Sequence, residues 1–220
     1  MTRRSWQEAH RYVLSAMGVG ILLLMARRRS GWLALAVAGA TSLFFRDPER
    51  RLDPDPSLVY AAADGVIANI DHSTVDPWIP DDAVVRISTF LSLHNVHVNR
   101  SPVAGQITET EEIPGGFAPA LFGRAEKNQR KRLAIDGAAG RVVVVQIAGM
   151  IARKISCWVS VGDKVKAGER IGLIHFGSRT DVLLPTRRAT VVVQVGDRVR
   201  AGVTPLARYH HVEGETCASS

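Results

Sequence analysis

The chain predicts a mainly β domain of the α+β class, a sandwich or barrel preceded by a membrane-associated helical hairpin. Three observations carry this. Two apolar runs, Val13 to Ala26 and Trp32 to Phe45, open the chain around a polar turn. Beyond residue 51 the sequence breaks into short β-branched stretches punctuated by Gly, Pro and Asp, the pattern of strands and turns. Within that part an eight-residue unit recurs, Val161 to Gly168 and again Val195 to Gly202. The chain therefore divides into a hairpin with its basic flank, residues 1–51, and a domain of residues 52–220. A length of 220 residues suits one domain plus an appendage.

The hairpin comes first. Each apolar run spans about 14 residues, short of the ~20 that a spanning helix needs. Arg27-Arg28-Arg29-Ser30-Gly31 separates them. A secretory signal has a single apolar run, so it does not fit. A spanning hairpin would carry three arginines to the far side, against the positive-inside tendency. A shallow hairpin keeps ends and turn at one interface, with arginines reaching lipid phosphates and Trp6, Trp32 and Phe44-Phe45 at headgroup depth. A buried helical pair fits less well, because neither run has a polar face.

Charge agrees. Residues 1–51 hold nine arginines against Glu8, Asp47 and Glu49, while the rest carries 19 basic and 18 acidic groups. The basic excess thus sits on the flank and suits an anionic membrane; a nucleic-acid-binding domain would concentrate it on the folded face, so no nucleic-acid partner is expected. Cys157 and Cys217 lie far apart without metal or disulfide spacing, which points to a reducing compartment. The expected location is the cytoplasmic face of the cell membrane, peripheral or monotopic.

Pro54 and Pro56 mark an extended linker. Strands are expected at Val59–Ala62, Val66–Ile70 after a turn at Asp64-Gly65, and Val84–Leu91. Val142–Ile147 is apolar throughout and reads as a strand buried on both faces. Pro114 to Phe117 reads as a loop, and Glu126 to Arg132 as a loop or a single helical turn. Both copies of the repeat place Gly-Asp at a tight turn and close on Ala-Gly; they resemble the turn units of biotinyl- and lipoyl-type sandwiches.

Ser178 could act as a nucleophile if a base removed its proton. His97 could be that base and Asp64 could set its tautomer, an order compatible with many folds. His94 and His97 share a site only if the chain bends between them, since positions three apart on a strand face opposite sides. His72 and His175 do not complete a metal set, so no metal is expected.

Several motifs together resemble one family. Phe90-Leu91-Ser92-Leu93-His94-Asn95-Val96-His97-Val98-Asn99-Arg100-Ser101-Pro102 looks like the histidine block of the phosphatidylserine decarboxylases. Phe44-Phe45-Arg46-Asp47-Pro48 looks like the motif after that family's membrane segment, and Ala63-Asp64-Gly65-Val66-Ile67 like its aspartate block. Asn128-Gln129-Arg130 departs at its middle position from the usual Asn-Glu-Arg. Gly149 to Arg153 and Phe176-Gly177-Ser178 complete the set in family order, from about Phe44 to Pro185. The resemblance is closest to the short form, with Arg179 where the long form has threonine.

The resemblance implies a proenzyme. His97, oriented by Asp64, would deprotonate Ser178, whose oxygen attacks the Gly177 carbonyl. Cleavage would leave residues 1–177 as the β subunit and residues 178–220 as the α subunit, headed by a pyruvoyl group made from Ser178. That pyruvate-derived cofactor would form a Schiff base with phosphatidylserine in an anionic membrane and release carbon dioxide, with His94 or His97 supplying a proton. Phe117 could cover the headgroup, while Lys127 and Arg130 could meet its phosphate; Arg179 could add charge beside the new terminus. Homo-oligomer formation through a sheet edge stays open. Two rivals are an uncut membrane-tethered scaffold and a serine hydrolase using Asp64, His97 and Ser178, although Gly-x-Ser-x-Gly is missing.

Overall fold

A computed structural model describes residues 2–51, 53–116, 128–149, 154–175 and 178–210. Helix α1 (Arg3–Met25) and helix α2 (Ser30–Phe44) form the expected hairpin. They cross closely because two glycines meet: a Cβ on Gly31 would lie 2.6 Å from the Gly20 carbonyl oxygen. Helix α1 begins ten residues before its apolar run, because its polar start docks on the domain. Thr2 caps it and donates to Asp47 at 2.6 Å, Ser5 donates to the Phe45 carbonyl, and Lys154 donates to Glu8 at 2.6 Å.

The strands follow: β1 (Leu58–Tyr60), β2 (Gly65–Asp76), β3 (Ile79–Leu91), β4 (Val98–Arg100), β5 (Gly105–Ile113), β6 (Arg130–Gly137) and β7 (Gly140–Ile147). After these come β8 (Ile155–Cys157), β9 (Lys164–Val165), β10 (Arg170–Ile174), β11 (Ser178–Pro185), β12 (Ala189–Val191), β13 (Arg198–Val199) and β14 (Pro205–Tyr209). Eight of them form one antiparallel sheet in the order β13-β2-β3-β11-β7-β6-β5-β9. Two three-stranded sheets, β1-β14-β12 and β4-β10-β8, complete the fold.

The sheet order reads the same from both ends under an internal two-fold. The axis passes through the Val182–Val144 pair and exchanges β11 with β7, β3 with β6, β2 with β5 and β13 with β9. The registers obey it: Ser178 opposite Leu91 becomes Gly140 opposite Gly137. The sequence repeat supplies the two edges. Gly162 and Gly196 have φ of 96° and 99°, and their N–H groups donate at 2.8 Å to Ile107 and Ile67. A side chain at such a φ would be strained, which fixes glycine there.

One face of the sheet buries Ile67, Ile87, Ile107, Leu133, Val142, Val144, Val182 and Leu184, and the other buries Ala134, Val143, Val145 and Leu183 under Trp78 and Ile79. Burial on both faces explains the unbroken apolar run of β7. One expectation fails: Arg130 to Arg132 are neither loop nor helical turn but open β6, paired with Ile147, Gln146 and Val145. The charge of Arg132 tolerates a strand because it meets carboxylates. Arg132 reaches both oxygens of Asp76 at 2.7 and 2.8 Å and stacks on Trp78.

Candidate active site

The residues singled out by the sequence gather at one end of the large sheet. Gly65 opens β2 there, and β3 ends there at Leu91, opposite Ser178 at the start of β11. The turn 92–97 leaves Leu91 and enters β4, whose Val98 pairs with Leu173 of β10, just before His175. Ile147 ends β7 opposite Arg179, and Asn128 reaches the next carbonyl, Ala148, at 2.8 Å. Asp64, His94, His97, Asn128 and Ser178 thus share a rim although they span over a hundred residues of chain.

Ser178 heads the inward row of β11, above Thr180, Val182 and Leu184. Below it lies a buried polar layer. Asn99 donates to Thr180 at 3.2 Å, and Gln146 donates to Asn99 at 2.7 Å. Sequence reasoning missed this layer; an Asn and a Gln inside apolar strand patterns were the available signal. The Ser178 hydroxyl and His97 Nε2 are both fully buried and lack a hydrogen-bond partner among the described residues. An unpaired buried polar atom costs about 1–3 kcal/mol, and these two lie at the same rim.

The state of His97 follows from its contacts. Its Nδ1 lies 3.0 Å from the Asn95 carbonyl, which can only accept. That puts the proton on Nδ1 and leaves Nε2 as a free base. Burial pushes its pKa from an ordinary 6.5 down to about 4, against the Asn95 hydrogen bond and aided by the Arg46 charge. The imidazole is therefore neutral at neutral pH. Phe44 packs on it with ring centroids 4.2 Å apart, and Phe45 packs on buried His175 at 5.4 Å.

Several expectations need correction. Asp64 does not touch His97. Its oxygens take two hydrogen bonds from Arg50, at 2.6 and 2.7 Å, and one from the Ala201 N–H at 2.8 Å. The tautomer role given to Asp64 falls to the Asn95 carbonyl, which a bend two residues earlier brings under the ring. Phe44 and Phe45 are buried and present almost no surface to a membrane; with Val13, Val96, Val98 and Leu173 they form the core that joins hairpin to domain. Nor is all of the basic flank free for a membrane. Arg46 donates to the His94 carbonyl and Arg50 holds Asp64. Arg179 points away from Ser178, to the other face, where both its bonds to Asp181 measure 2.7 Å.

His94 is exposed, with its Nδ1 3.2 Å from the Ser92 hydroxyl. Arg130 lines a separate cleft on the outer face with Arg132, Asp76 and Asp181. Gly177, Phe117 and Lys127 lie outside the described residues. Sequence reading also missed Asp47, a buried carboxylate that ties α1 to the domain through Thr2, Arg100 and Arg170.

The family model described as phosphatidylserine decarboxylase matches residues 37–207. The chain belongs to the phosphatidylserine decarboxylase family. Relatives named phosphatidylserine decarboxylase proenzyme include one from Streptomyces griseus, 43% identical over 203 residues and covering 90% of each chain. One from Ruegeria pomeroyi is 40% identical over 91% of this chain and 93% of its own, and one from Thermobifida fusca is 45% identical over 88% and 86%. In family terms, the rim collects the histidine, aspartate, asparagine and serine blocks at the end of one sheet.

Proposed function

We propose that this chain is a phosphatidylserine decarboxylase proenzyme that cuts itself before Ser178 and works at a membrane surface. Family membership makes it a decarboxylase, which sets aside the scaffold and hydrolase readings. The observation that carries the residue assignment is the meeting of Ser178 Oγ and His97 Nε2 at the ends of neighbouring ladders, both buried and without a hydrogen-bond partner among the described residues.

His97 Nε2 takes the Ser178 proton and the serine oxygen attacks the Gly177 carbonyl carbon. The amide C–N bond breaks as the ester forms, and His97 returns the proton to the freed amine. Loss of the Ser178 α-proton then expels the Gly177 carboxylate, and hydrolysis of the resulting dehydroalanine releases ammonia. The buried Ser178 hydroxyl, without a hydrogen-bond partner among the described residues, fits such a conversion to a pyruvoyl group. That group supplies a carbonyl able to condense with an amine and draw off the electron pair left by carbon dioxide. His94, exposed at the rim, delivers a proton to the substrate side, while buried His97 serves maturation. Asp64 and Arg50 hold the β2 end of the rim as one ion pair. After cleavage the subunits stay together, because β11 lies between β3 and β7.

The hairpin supports a monotopic anchor at the cytoplasmic face of the cell membrane. Leu22, Met25, Trp32 and Leu33 are each at least 66% exposed, too much apolar surface for water. No described helix is long and apolar enough to cross a membrane. Helix α2, at 15 residues, is about 22 Å long; upright, it would leave Arg27 to Arg29 within the ~30 Å hydrocarbon layer. Lying along the interface, it lets them reach phosphates.

Intact mass measurement tests the reading. The wild-type chain should give two species split between residues 177 and 178, the second lighter by the change from serine to pyruvoyl. Ser178→Ala should give one full-length, inactive species. Two pieces from Ser178→Ala would sink the proposal.

A further inference from the structure

Beside the rim lies a cleft of about 440 Å³ whose walls include Asp64, Val66, His94, Arg198 and Arg200. Its volume falls in the usual range for small-molecule sites. Its two cations come from the second copy of the repeat, a segment otherwise explained as architecture. Arg198 pairs with Val66 across β13 and β2. Neither guanidinium has an ion pair or side-chain hydrogen bond among the described residues, and both residues are exposed. The nearby carboxylates do not cancel them: Asp64 is held by Arg50, and Asp197 turns back to accept the Gln194 N–H at 2.8 Å.

We propose that Arg198 and Arg200 bind the phosphodiester of the substrate's headgroup in this cleft, with the amino-acid end toward His94. This rests on the decarboxylase reading. A guanidinium fork matches a phosphate's oxygens in a way that an ammonium does not. The internal two-fold supplies the control. The first copy has Lys164 and Lys166 at the matching positions, on the far edge of the sheet, where β9 meets β5. Arginine stands only in the copy that faces the rim. The cleft is also at the right depth: Arg46, at the foot of the hairpin, bonds to the carbonyl of His94 in the cleft wall. Arg130, named from sequence, lines a separate cleft on the outer face of the sheet, which His94 does not line.

The test uses the full chain on vesicles of phosphatidylserine in phosphatidylcholine, following carbon dioxide release, with inorganic phosphate as a competing probe. Arg198→Gln/Arg200→Gln should still cut itself. Its KM should rise by about a hundredfold, about tenfold for each charge-assisted hydrogen bond lost, with kcat within about twofold. Arg198→Lys/Arg200→Lys should show a smaller rise, and Lys164→Gln/Lys166→Gln none. Phosphate should compete in the wild type and lose its effect in the glutamine pair. An unchanged KM overturns the proposal, even if phosphate inhibition is lost, because the site would then hold a free anion and no headgroup. An equal KM rise in the lysine pair also overturns it, by reducing the effect to general surface charge. If the glutamine pair fails to fold, the single variants carry the same test. A wild-type chain that neither cuts itself nor releases carbon dioxide would sink the decarboxylase reading instead, and would show this before any arginine variant is made.

Discussion

The two halves of the large sheet share a backbone plan and differ in what ends it. In one half, β6 and β7 close through Ala138-Ala139, with Gly137 opposite Gly140 and Gly140 at φ 123°. In the other, the matching pair is Leu91 and Ser178, and no hairpin joins them. The chain instead leaves Leu91 for the 92–97 turn, and Ser178 opens β11 without a hairpin from β3. Both halves also need a glycine at their outer strand. A Cβ on Gly65 would sit 2.0 Å from the Phe90 carbonyl oxygen, and one on Gly105 would sit 2.4 Å from that of Asp136. The residue before that glycine is Asp64 in one half and Ala104 in the other. One half is thus a closed frame, while the other is the same frame opened, with Asp64, His97 and Ser178 gathered at its end.

This contrast can be broken most sharply at the ion pairs. Arg50→Ala leaves the nearly buried Asp64 carboxylate without its two-pronged partner. It should cost about 3–5 kcal/mol and stop self-cleavage. Arg141→Ala, at the closed end, removes a more exposed pair with Asp136 and Glu109 and should cost about 1 kcal/mol or less. Urea unfolding of both in an uncut Ser178→Ala background compares them; equal costs would mean that the open end holds no special burial.

Acid should act on the open half. His97 and His175 are both pushed by burial to about 4, His175 against the opposing charge of Glu8 and with that of Lys154. The folded state therefore stays neutral at both while the unfolded chain takes up protons near 6.5. Their contribution to stability is complete above that pH and is lost as pH falls toward 4. Melting temperature against pH should drop across that window and flatten in His175→Gln. Self-cleavage should persist at pH 6 and fail near 4; failure already at 6.5 would mean that His97 titrates normally.

The smallest effect separates structure from chemistry. Gly65→Ala and Gly105→Ala force similar backbone clashes and should each cost about 1–3 kcal/mol. Only Gly65→Ala should also slow self-cleavage, read as a time course on gels, because it shifts Asp64. Equal slowing by Gly105→Ala would make the rate a simple report of stability.

Much of this was legible beforehand, for identifiable reasons. The apolar runs marked the hairpin, β-branched stretches marked the strands, and Gly-Asp turns marked the repeat, because each reflects chemistry within a few residues. The site residues were legible only through their motifs. Their partners were not. Arg50 read as one more membrane-facing charge, Phe44 and Phe45 as interfacial aromatics, and Arg130 to Arg132 as part of a loop or a single helical turn, since each depends on a residue far away in sequence.

By itself, then, the sequence determined the elements, the repeat and the residue types able to do the chemistry, all local matters of periodicity, turn preference and reactivity. Only the tertiary structure decided that Asp64 pairs with Arg50, that a backbone carbonyl sets the His97 tautomer, and that one half of a two-fold sheet stays open. Those outcomes turn on which strands lie side by side, and strand order follows from burying both faces of the sheet at once, a condition on the whole chain that no local pattern records.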